Sequence, residues 1–234
     1  MSTTIERTAS NGHSKSGATR LASGALPTDT GGVGSVQIDP IGVEVLRVPL
    51  LGETPLIVHR FAEKAKRQML DAMQGKKTPK QPKDPEADYQ GAFYFLPDGS
   101  YGFPAIAFKA AIVSASRFYG KDVTMVMLRQ SVFTRGERGV DGQMLVRIEG
   151  EPQCREDVVT VGMKGHDLRY RPQFTEWAAT LEVAYVKSSL TRESIVSLIE
   201  AAGMGVGVGE WRPEKNGDFG TFRVNPDIDI EVTS

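Results

Sequence analysis

Apolar residues fall into short clusters along the chain, and their spacing predicts strands and helices in alternation. Residues 41–51 are dominated by β-branched residues and leucine, which is typical of a buried strand. A helix is predicted over residues 61–73, where Gly75 ends it. A second helix over residues 105–118 is almost wholly apolar or small, which indicates a position in the core.

The second half of the chain also contains predicted strands and helices. Further strands are predicted at residues 125–133, 145–148, 177–186 and 219–224. A turn at residues 97–99 predicts a hairpin between 89–95 and 100–103. Residues 154–174 are predicted to be irregular, with a strand only at 158–161. Thr191 is predicted to cap a third helix, with Gly203 as its C-terminal stop.

This order of elements predicts an α+β fold with a largely antiparallel sheet. A ferredoxin-like (RRM-like) core with inserted loops and a hairpin is the simplest arrangement of these elements. Residues 1–36 are rich in Ser, Thr, Gly and Ala and lack apolar periodicity, so they are predicted to form a disordered arm. Residues 37–234 are then a single domain with a basic insertion at 75–90.

Composition narrows the classes of function. The 234 residues carry a formal net charge of −1, so any attraction to nucleic acid has to come from local patches. Cys154 cannot form an internal disulfide, and the three histidines lack zinc-site spacing, so no metal or cofactor is expected. No apolar run suits a membrane span or a signal peptide, which favours the cytoplasm of a bacterial or phage-infected cell.

The glycine-rich segment, residues 203–220, is the most unusual stretch of the sequence. Gly205, Gly207 and Gly209 alternate with apolar residues, and in a strand they would leave one face without side chains. Such a face lets another backbone approach closely, whether from a ligand or from the protein itself. The alternative is tight helix-to-strand packing followed by a turn at Asn216 and Gly217.

Trp211, Arg212 and Lys215 follow these glycines directly. Trp and Arg side chains stack on unpaired bases, and Arg and Lys neutralise phosphates, which is typical of single-strand binding. The alternative is a structural role, with Trp211 in the core and Arg212 paired to Glu210 or Glu214.

The strongest charge asymmetry of the chain lies in residues 60–83. Its basic residues are Arg60, Lys64, Lys66, Arg67, Lys76, Lys77, Lys80 and Lys83. Such a run is either a solvated helix face with a soluble loop or a surface for phosphates, whose affinity would fall steeply with salt. Lys109 stands alone on the apolar second helix, where it either reaches solvent or binds a phosphate.

Catalytic patterns are sparse in this sequence. It has no Gly-x-Ser-x-Gly elbow, Walker loop or His-Glu-x-x-His motif. His59 follows the first strand and is the single catalytic candidate, as a general acid or base in a metal-free ribonuclease. Asp84, Glu86 and Asp88 alternate in a predicted loop without a second carboxylate cluster, so they do not predict a metal site.

Three patches of sequence resemble the RAMP superfamily, ferredoxin-like proteins that form CRISPR effector backbones and process guide RNA. Residues 207–212 (Gly-Val-Gly-Glu-Trp-Arg) and 217–222 (Gly-Asp-Phe-Gly-Thr-Phe) resemble its C-terminal glycine-rich loop. Residues 102–111 look like its strand-to-helix entry, and residues 43–55 are similar to its opening strand. The pattern is also similar to uncharacterised bacteriophage proteins with a Gly-Glu-Trp-Arg-Pro ending.

The resemblance implies a groove for single-stranded RNA or DNA, lined by the glycine-rich loop, Lys109 and the basic insertion, and also head-to-tail oligomers. The long stretch between the glycines, residues 210–218, departs from the family pattern. The leading hypothesis is therefore a non-catalytic single-strand-binding protein that oligomerises. The alternatives are a phage structural or assembly subunit, and a metal-independent endoribonuclease that uses His59.

Overall fold

The computed structural model describes residues 38–61, 63–76, 82–161 and 165–233. The predicted disordered arm at 1–36 lies outside them. Within them, Pro40 and the residues that follow form one compact unit. The strands are β1 (Val43–Gly52), β2 (Leu56–Ile57), β3 (Tyr94–Phe95), β4 (Tyr101–Pro104), β5 (Val132–Arg135), β6 (Glu137–Arg138), β7 (Met144–Glu149), β8 (Pro152–Val161), β9 (Gly165–Phe174), β10 (Ala178–Val186), β11 (Phe222–Val224) and β12 (Glu231–Thr233). The helices are α1 (Glu63–Met73), α2 (Pro85–Gly91), α3 (Ala105–Ala115), α4 (Met125–Ser131) and α5 (Arg192–Gly205).

Four antiparallel strands form the centre of the main sheet in the order β11–β1–β10–β5. The chain passes from β1 through α3 to β5, and from β10 through α5 to β11. This βαββαβ order is the ferredoxin-like arrangement, so the predicted α+β fold is confirmed. The first residues of β10 pair with β7 and not with β5. Strand β7 also pairs with β4, and β4 pairs with β3 in the predicted hairpin.

The two crossover helices pack against each other and against the sheet. Phe108 of α3 is fully buried, and its ring lies between those of Phe103 and Phe222, with centroids 6.1 and 5.9 Å away. Burying one such side chain stabilises the fold by about 1.5–3 kcal/mol. The prediction that the second helix lies in the core is therefore confirmed.

Residues 125–133 were predicted as a strand, and this prediction is wrong for most of the stretch. Residues 125–131 form α4, and only β5 after it is a strand. Thr124 caps the helix, since its Oγ1 accepts a hydrogen bond from the Met127 N–H at 3.1 Å. A capped N-terminus and the side chains of Met and Leu, which are not branched at Cβ, favour the helix over the strand.

Residues 154–174 were predicted to be irregular apart from a strand at 158–161; that strand is present within β8, but the rest of the prediction is wrong. The described residues of this stretch belong to a long antiparallel ribbon, in which β8 pairs with β9 along its full length and β9 pairs with β2. The apolar alternation that signals a strand is missing, because charged residues occupy the inner positions. Asp157 and Arg171 are both buried there.

The basic insertion at 75–90 is not wholly an extended loop. Its end forms α2, which starts with Pro85 at the first helical position and Asp84 as the cap. The Asp84 carboxylate accepts a hydrogen bond from the Ala87 N–H at 3.1 Å. The alternating carboxylates at 84–88 therefore reflect the start of a helix, not a loop. Lys77 and Lys80 lie outside the described residues.

The glycine-rich segment does not form the predicted strand with a bare face. Helix α5 continues through Gly203, the predicted stop, to Gly205. Gly207 and Gly209 then have φ of +70° and +83°, which places the chain in a loop. A Cβ on Gly203 would lie 1.9 Å from the Phe222 carbonyl oxygen, so the structural alternative, tight helix-to-strand packing, is confirmed.

Replacing Gly220 by alanine is expected to destabilise the fold strongly. Its φ is +69°, and a Cβ would lie 1.7 Å from the Val208 carbonyl oxygen. Left-handed backbone strain of about 1–2 kcal/mol adds to steric overlap of about 1–3 kcal/mol, so Gly220→Ala should lose about 2–5 kcal/mol. Urea unfolding measures this loss.

Gly120→Ala is the matched control, because Gly120 has φ of +73° and nothing within 4 Å of its Cβ position. It should lose only the strain of about 1–2 kcal/mol. Equal losses in the two variants would contradict the tight contact at Gly220.

Candidate nucleic-acid interface

Backbone hydrogen bonds fasten the glycine-rich segment to the stretch that ends in β2. The Gly220 N–H donates to Pro55 O at 2.9 Å, and the Glu210 N–H donates to Ile57 O at 3.0 Å. Within the segment, the Val208 N–H donates to Gly220 O at 2.9 Å. These bonds need backbones in direct contact, which explains why Gly209 and Gly220 lack side chains. These bonds hold residues 206–209 in a fixed position, and this stretch of main chain is called the wall below.

Between this wall and α3 lies an open cleft of about 240 Å³. The residues that line it are His59, Tyr94, Phe103, Pro104, Ala107, Ala110, Ala111, residues 206–210, Arg212 and Glu214. Small side chains on α3 form one side, and the backbone of 206–209 contributes to the other. Polar and aromatic side chains also line the cleft, so it offers both main-chain and side-chain contacts to a ligand.

The His59 imidazole lies beside the Glu210 carboxylate in this cleft, with Nδ1 and Oε1 3.6 Å apart. The pKa of Glu210 is lowered, first by His59 and further by Arg171, although burial opposes the shift. The neighbouring Arg60 points to a turn of the sheet, where its Nε lies 3.2 Å from an Asp141 carboxylate oxygen. Each of these basic groups is thus already paired with a carboxylate.

Glu214 connects the glycine-rich segment to α3 through side-chain hydrogen bonds. Its carboxylate accepts a hydrogen bond from Ser114 Oγ at 2.9 Å and pairs with Arg212 Nη2, also at 2.9 Å. Burial alone would raise the pKa of Glu214, but the bonds from Ser114 and Arg212 outweigh burial and lower it. The predicted structural role of Arg212, pairing with Glu214, is therefore present.

Trp211 is half-buried and lies against the β8–β9 ribbon rather than in the core. The guanidinium carbons of Arg155 and Arg171 lie 5.2 and 5.6 Å from the centroid of its ring. Arg155 also lies 4.9 Å from the Phe219 ring. Trp211 has φ of +53°, a conformation that costs a non-glycine residue about 1–3 kcal/mol. Cation–π contacts of about 0.5–2 kcal/mol each offset part of this cost.

Beneath Trp211, two arginines share one carboxylate. Arg155 Nε lies 2.8 Å from one Asp157 oxygen, and Arg171 Nη1 lies 3.5 Å from the other. Burial lowers the pKa of Arg171. Two guanidinium groups therefore lie against one aromatic ring, and the carboxylates of Asp157 and the nearby Glu210 are their counter-charges.

The described part of the basic insertion contacts both faces of the β8–β9 ribbon. Side chains alternate along a strand, so Cys154 and Arg155 lie on opposite faces of the ribbon. Trp211 covers the Arg155 face, whereas α2 packs on the other, where burial and then Glu86 raise the pKa of Cys154. Lys83 of the insertion contacts Asp167 of β9, which is opposite Val159 and therefore lies on the same face of the ribbon as Arg155.

Lys109 also lies away from the cleft. Its Nζ donates to the Arg129 carbonyl oxygen at 3.1 Å and lies 4.5 Å from the centroid of the Phe133 ring. This is a different side of α3 from the one that meets the glycine-rich segment. Lys76 and Lys215 are exposed on the surface. Lys109 therefore does not line a groove with the glycines, while a common furrow for the glycines and the insertion stays a prediction.

Sequence reasoning missed the contribution of Arg155, Arg171 and Tyr94. Arg155 and Arg171 lie on strands whose apolar and polar residues do not alternate. Nothing in the sequence therefore indicates that they contact Trp211. Tyr94 was placed correctly in a hairpin strand, but only the fold brings it to the cleft, where burial raises its pKa. Within the described ranges, no group of His, Cys, Asp and Glu is arranged to hold a metal ion.

Comparisons with known proteins give no sequence relative. No protein-family model matches the chain, and no curated protein does. A search of solved structures finds a chain of the Type III-B Cmr-beta complex bound to cognate target RNA, at 10% identity and a TM-score of 0.45. That match covers 82% of this chain and 61% of the other, so this chain spans about three-fifths of that chain's length.

Cmr6 from Pyrococcus furiosus is also similar, at 10% identity and a TM-score of 0.41, over 80% of this chain and 100% of that one. The ferredoxin-like fold stated above stands on its own strand order. It agrees with the core that the resemblance to the RAMP superfamily implies, while the similarity to phage proteins stays a prediction. No helix in the described ranges is long and apolar enough to cross a membrane.

Glu214→Gln is expected to make stability less sensitive to acid. A carboxyl whose pKa is lowered by folding adds stability above its unfolded pKa of about 4.3, and this stability is lost as the pH falls through the lower folded value. The amide keeps a contact with Ser114 but no longer titrates. Urea unfolding at about pH 7 and about pH 3.5 should therefore show a smaller fall for the variant than for wild type.

Glu151→Gln, at an exposed glutamate outside the wall, serves as the control and should leave the fall unchanged. Identical pH dependence in wild type and Glu214→Gln would show that Glu214 does not couple folding to pH.

Proposed function

We propose that this protein binds single-stranded nucleic acid across the cleft and the neighbouring Trp211, without catalysing a reaction, and that it oligomerises along the strand. The observation that carries the proposal is Trp211 itself. A half-buried tryptophan is held in a strained conformation by two arginines, directly beside an open cleft. Strain of this kind is maintained where function requires a side chain in a fixed place.

The chemistry of these groups suits unpaired nucleotides. The ring of Trp211 is a platform for one base, and each base stacked on an aromatic ring contributes about 1–3 kcal/mol. Tyr94 in the cleft is a second aromatic group for stacking. The main-chain wall at 206–209 lines the cleft, and a sugar-phosphate backbone would lie against its peptide groups.

Phosphate contacts come from two regions in this proposal. Near the cleft, Arg60 and Arg212 are paired with carboxylates and exchange these partners for phosphates. Farther along the strand, the insertion supplies Lys76, Lys77, Lys80 and Lys83, and Lys215 flanks the wall. A bound strand must displace the carboxylate partners of Arg60, Arg212 and Lys83, so most of the salt dependence is assigned to the other three lysines of the insertion. Lys109 is left out of this site.

Binding of a fluorescent 30-mer, as RNA and as DNA, tests the proposal by anisotropy at low and high salt. Wild type should bind at low salt and lose affinity as salt rises. Trp211→Ala should weaken binding about 5- to 150-fold, the equivalent of one stacked base. Tyr119→Ala, at an exposed aromatic residue that bonds the Ser197 carbonyl, is the matched control and should bind as wild type does.

Three outcomes would overturn the proposal. The first is no binding at low salt, and the second is equal affinity of Trp211→Ala and wild type. The third is an unchanged salt slope when Lys76, Lys77, Lys80 and Lys83 are changed to Glu, since each lost phosphate contact lowers the slope by about 0.7–0.9. Lys121→Glu with Lys187→Glu is the charge control for that variant.

His59 and Glu210 support a second candidate function, a metal-independent endoribonuclease. A carboxylate 3.6 Å from Nδ1 can orient the imidazole and leave Nε2 to exchange a proton with RNA. If this function is present, wild type cleaves single-stranded RNA in the presence of EDTA. His59→Ala should then be at least about 100-fold slower, the usual contribution of a general acid or base.

Glu210→Gln separates this role from a structural one, because it keeps the side-chain shape and removes the charge. A shifted pH–rate profile is expected for this variant. Equal cleavage by wild type and His59→Ala, or none by either, would end the ribonuclease candidate and leave binding alone.

A further inference from the structure

A second, larger groove lies on the side of α3 that faces away from the cleft. Its volume is about 410 Å³. The residues that line it are Pro104, Ala105, Ile106, Lys109, Phe133, Thr134, Gln143 and Met144. Ile106, Phe133 and Met144 are 66, 44 and 47% exposed, so three large apolar side chains meet solvent side by side. A cluster of this kind marks a surface that binds a partner.

Lys109 gives this groove its charge. Its ammonium group contacts a carbonyl oxygen and an aromatic ring, and it pairs with no carboxylate in the described part of the chain. An ammonium group at the margin of an apolar surface gains most from a carboxylate whose flanking side chains are apolar. The groove therefore fits a segment that combines acidic and β-branched residues.

The C-terminal segment of this chain, residues 226–233, has that composition. Its sequence is Pro-Asp-Ile-Asp-Ile-Glu-Val-Thr, in which acidic and β-branched residues alternate. Ile228 and Val232 are 56 and 46% exposed. Glu231 pairs with Arg47 of the same chain at 3.0 Å, whereas Asp227 and Asp229 are exposed and take part in no ion pair between described residues.

The segment cannot reach the groove of its own molecule while β12 is paired with β1. The strand order places β1 and β10 between β12 and β5, so β12 and β5 are about 14 Å apart at the usual strand spacing. Any contact between the segment and the groove therefore joins two molecules.

We propose that the groove around Lys109 receives the C-terminal segment of a second copy of this chain. Ile228 of that copy enters between Ile106, Phe133 and Met144, and Asp227 or Asp229 pairs with Lys109. The two surfaces differ, so the contact is heterologous, and repeated use of it joins copies head to tail. This contact does not depend on nucleic acid, and it remains if the proposed binding function fails.

Analytical ultracentrifugation of the nuclease-treated full chain tests this contact over a range of protein concentrations. Wild type should associate as concentration rises, more strongly at low salt. Lys109→Glu should weaken association at least about tenfold, and so should the double change Asp227→Lys with Asp229→Lys, because each places like charges together. Mixing these two variants should restore association, since opposite charges then meet at every contact.

Lys187→Glu, at an exposed lysine outside the groove, is the control and should associate as wild type does. Circular dichroism and thermal unfolding confirm that each variant is folded; the tail variant alters exposed residues only. A wild type that stays monomeric overturns the proposal. So does unchanged association in the Lys109→Glu and tail variants, or a mixture that fails to associate.

Discussion

Close contact between backbones, without intervening side chains, is the constraint on which this structure depends. Gly209 and Gly220 allow the glycine-rich segment to bond directly to the stretch at 55–57. That contact joins the end of α5 to the entrance of β11, and so closes the ferredoxin-like core. It also fixes the wall of the cleft and the position of Trp211. Stability and the candidate site therefore rest on the same few peptide groups, and the site is not a loop added to an independent fold.

The charged interior of the β8–β9 ribbon is the second organising feature. Burying Arg171 costs several kcal/mol, and Asp157 together with the face of Trp211 offsets part of that cost. Folding a ribbon with apolar residues at these positions would cost less free energy. The arrangement places two guanidinium groups directly against an aromatic ring, which links the energetic cost of the ribbon to the chemistry of the site.

The sequence predicted the central elements because their apolar periodicity is strong. The first strand, the buried helix over α3 and the Thr191-capped helix are all present, and their order was enough to predict the ferredoxin-like core. The ribbon was missed because its inner positions are charged, and α4 was missed because its apolar residues fit a strand as well as a helix. The bare glycine strand was wrong because alternation in sequence does not reveal positive φ.

The site was only partly predictable for a related reason. Trp211 and Arg212 could be named from their residue types, but their partners come from a ribbon 40 or more residues away in the chain. Lys109 was assigned to the wrong side of its helix, since an almost wholly apolar helix gives no sign of which side faces which neighbour. One wall of the cleft is main chain at residues 206–209. A homologue with the same backbone conformation at these residues would present the same peptide donors and acceptors. Substitutions there would therefore change the width of the cleft before they change the chemical groups that a ligand meets.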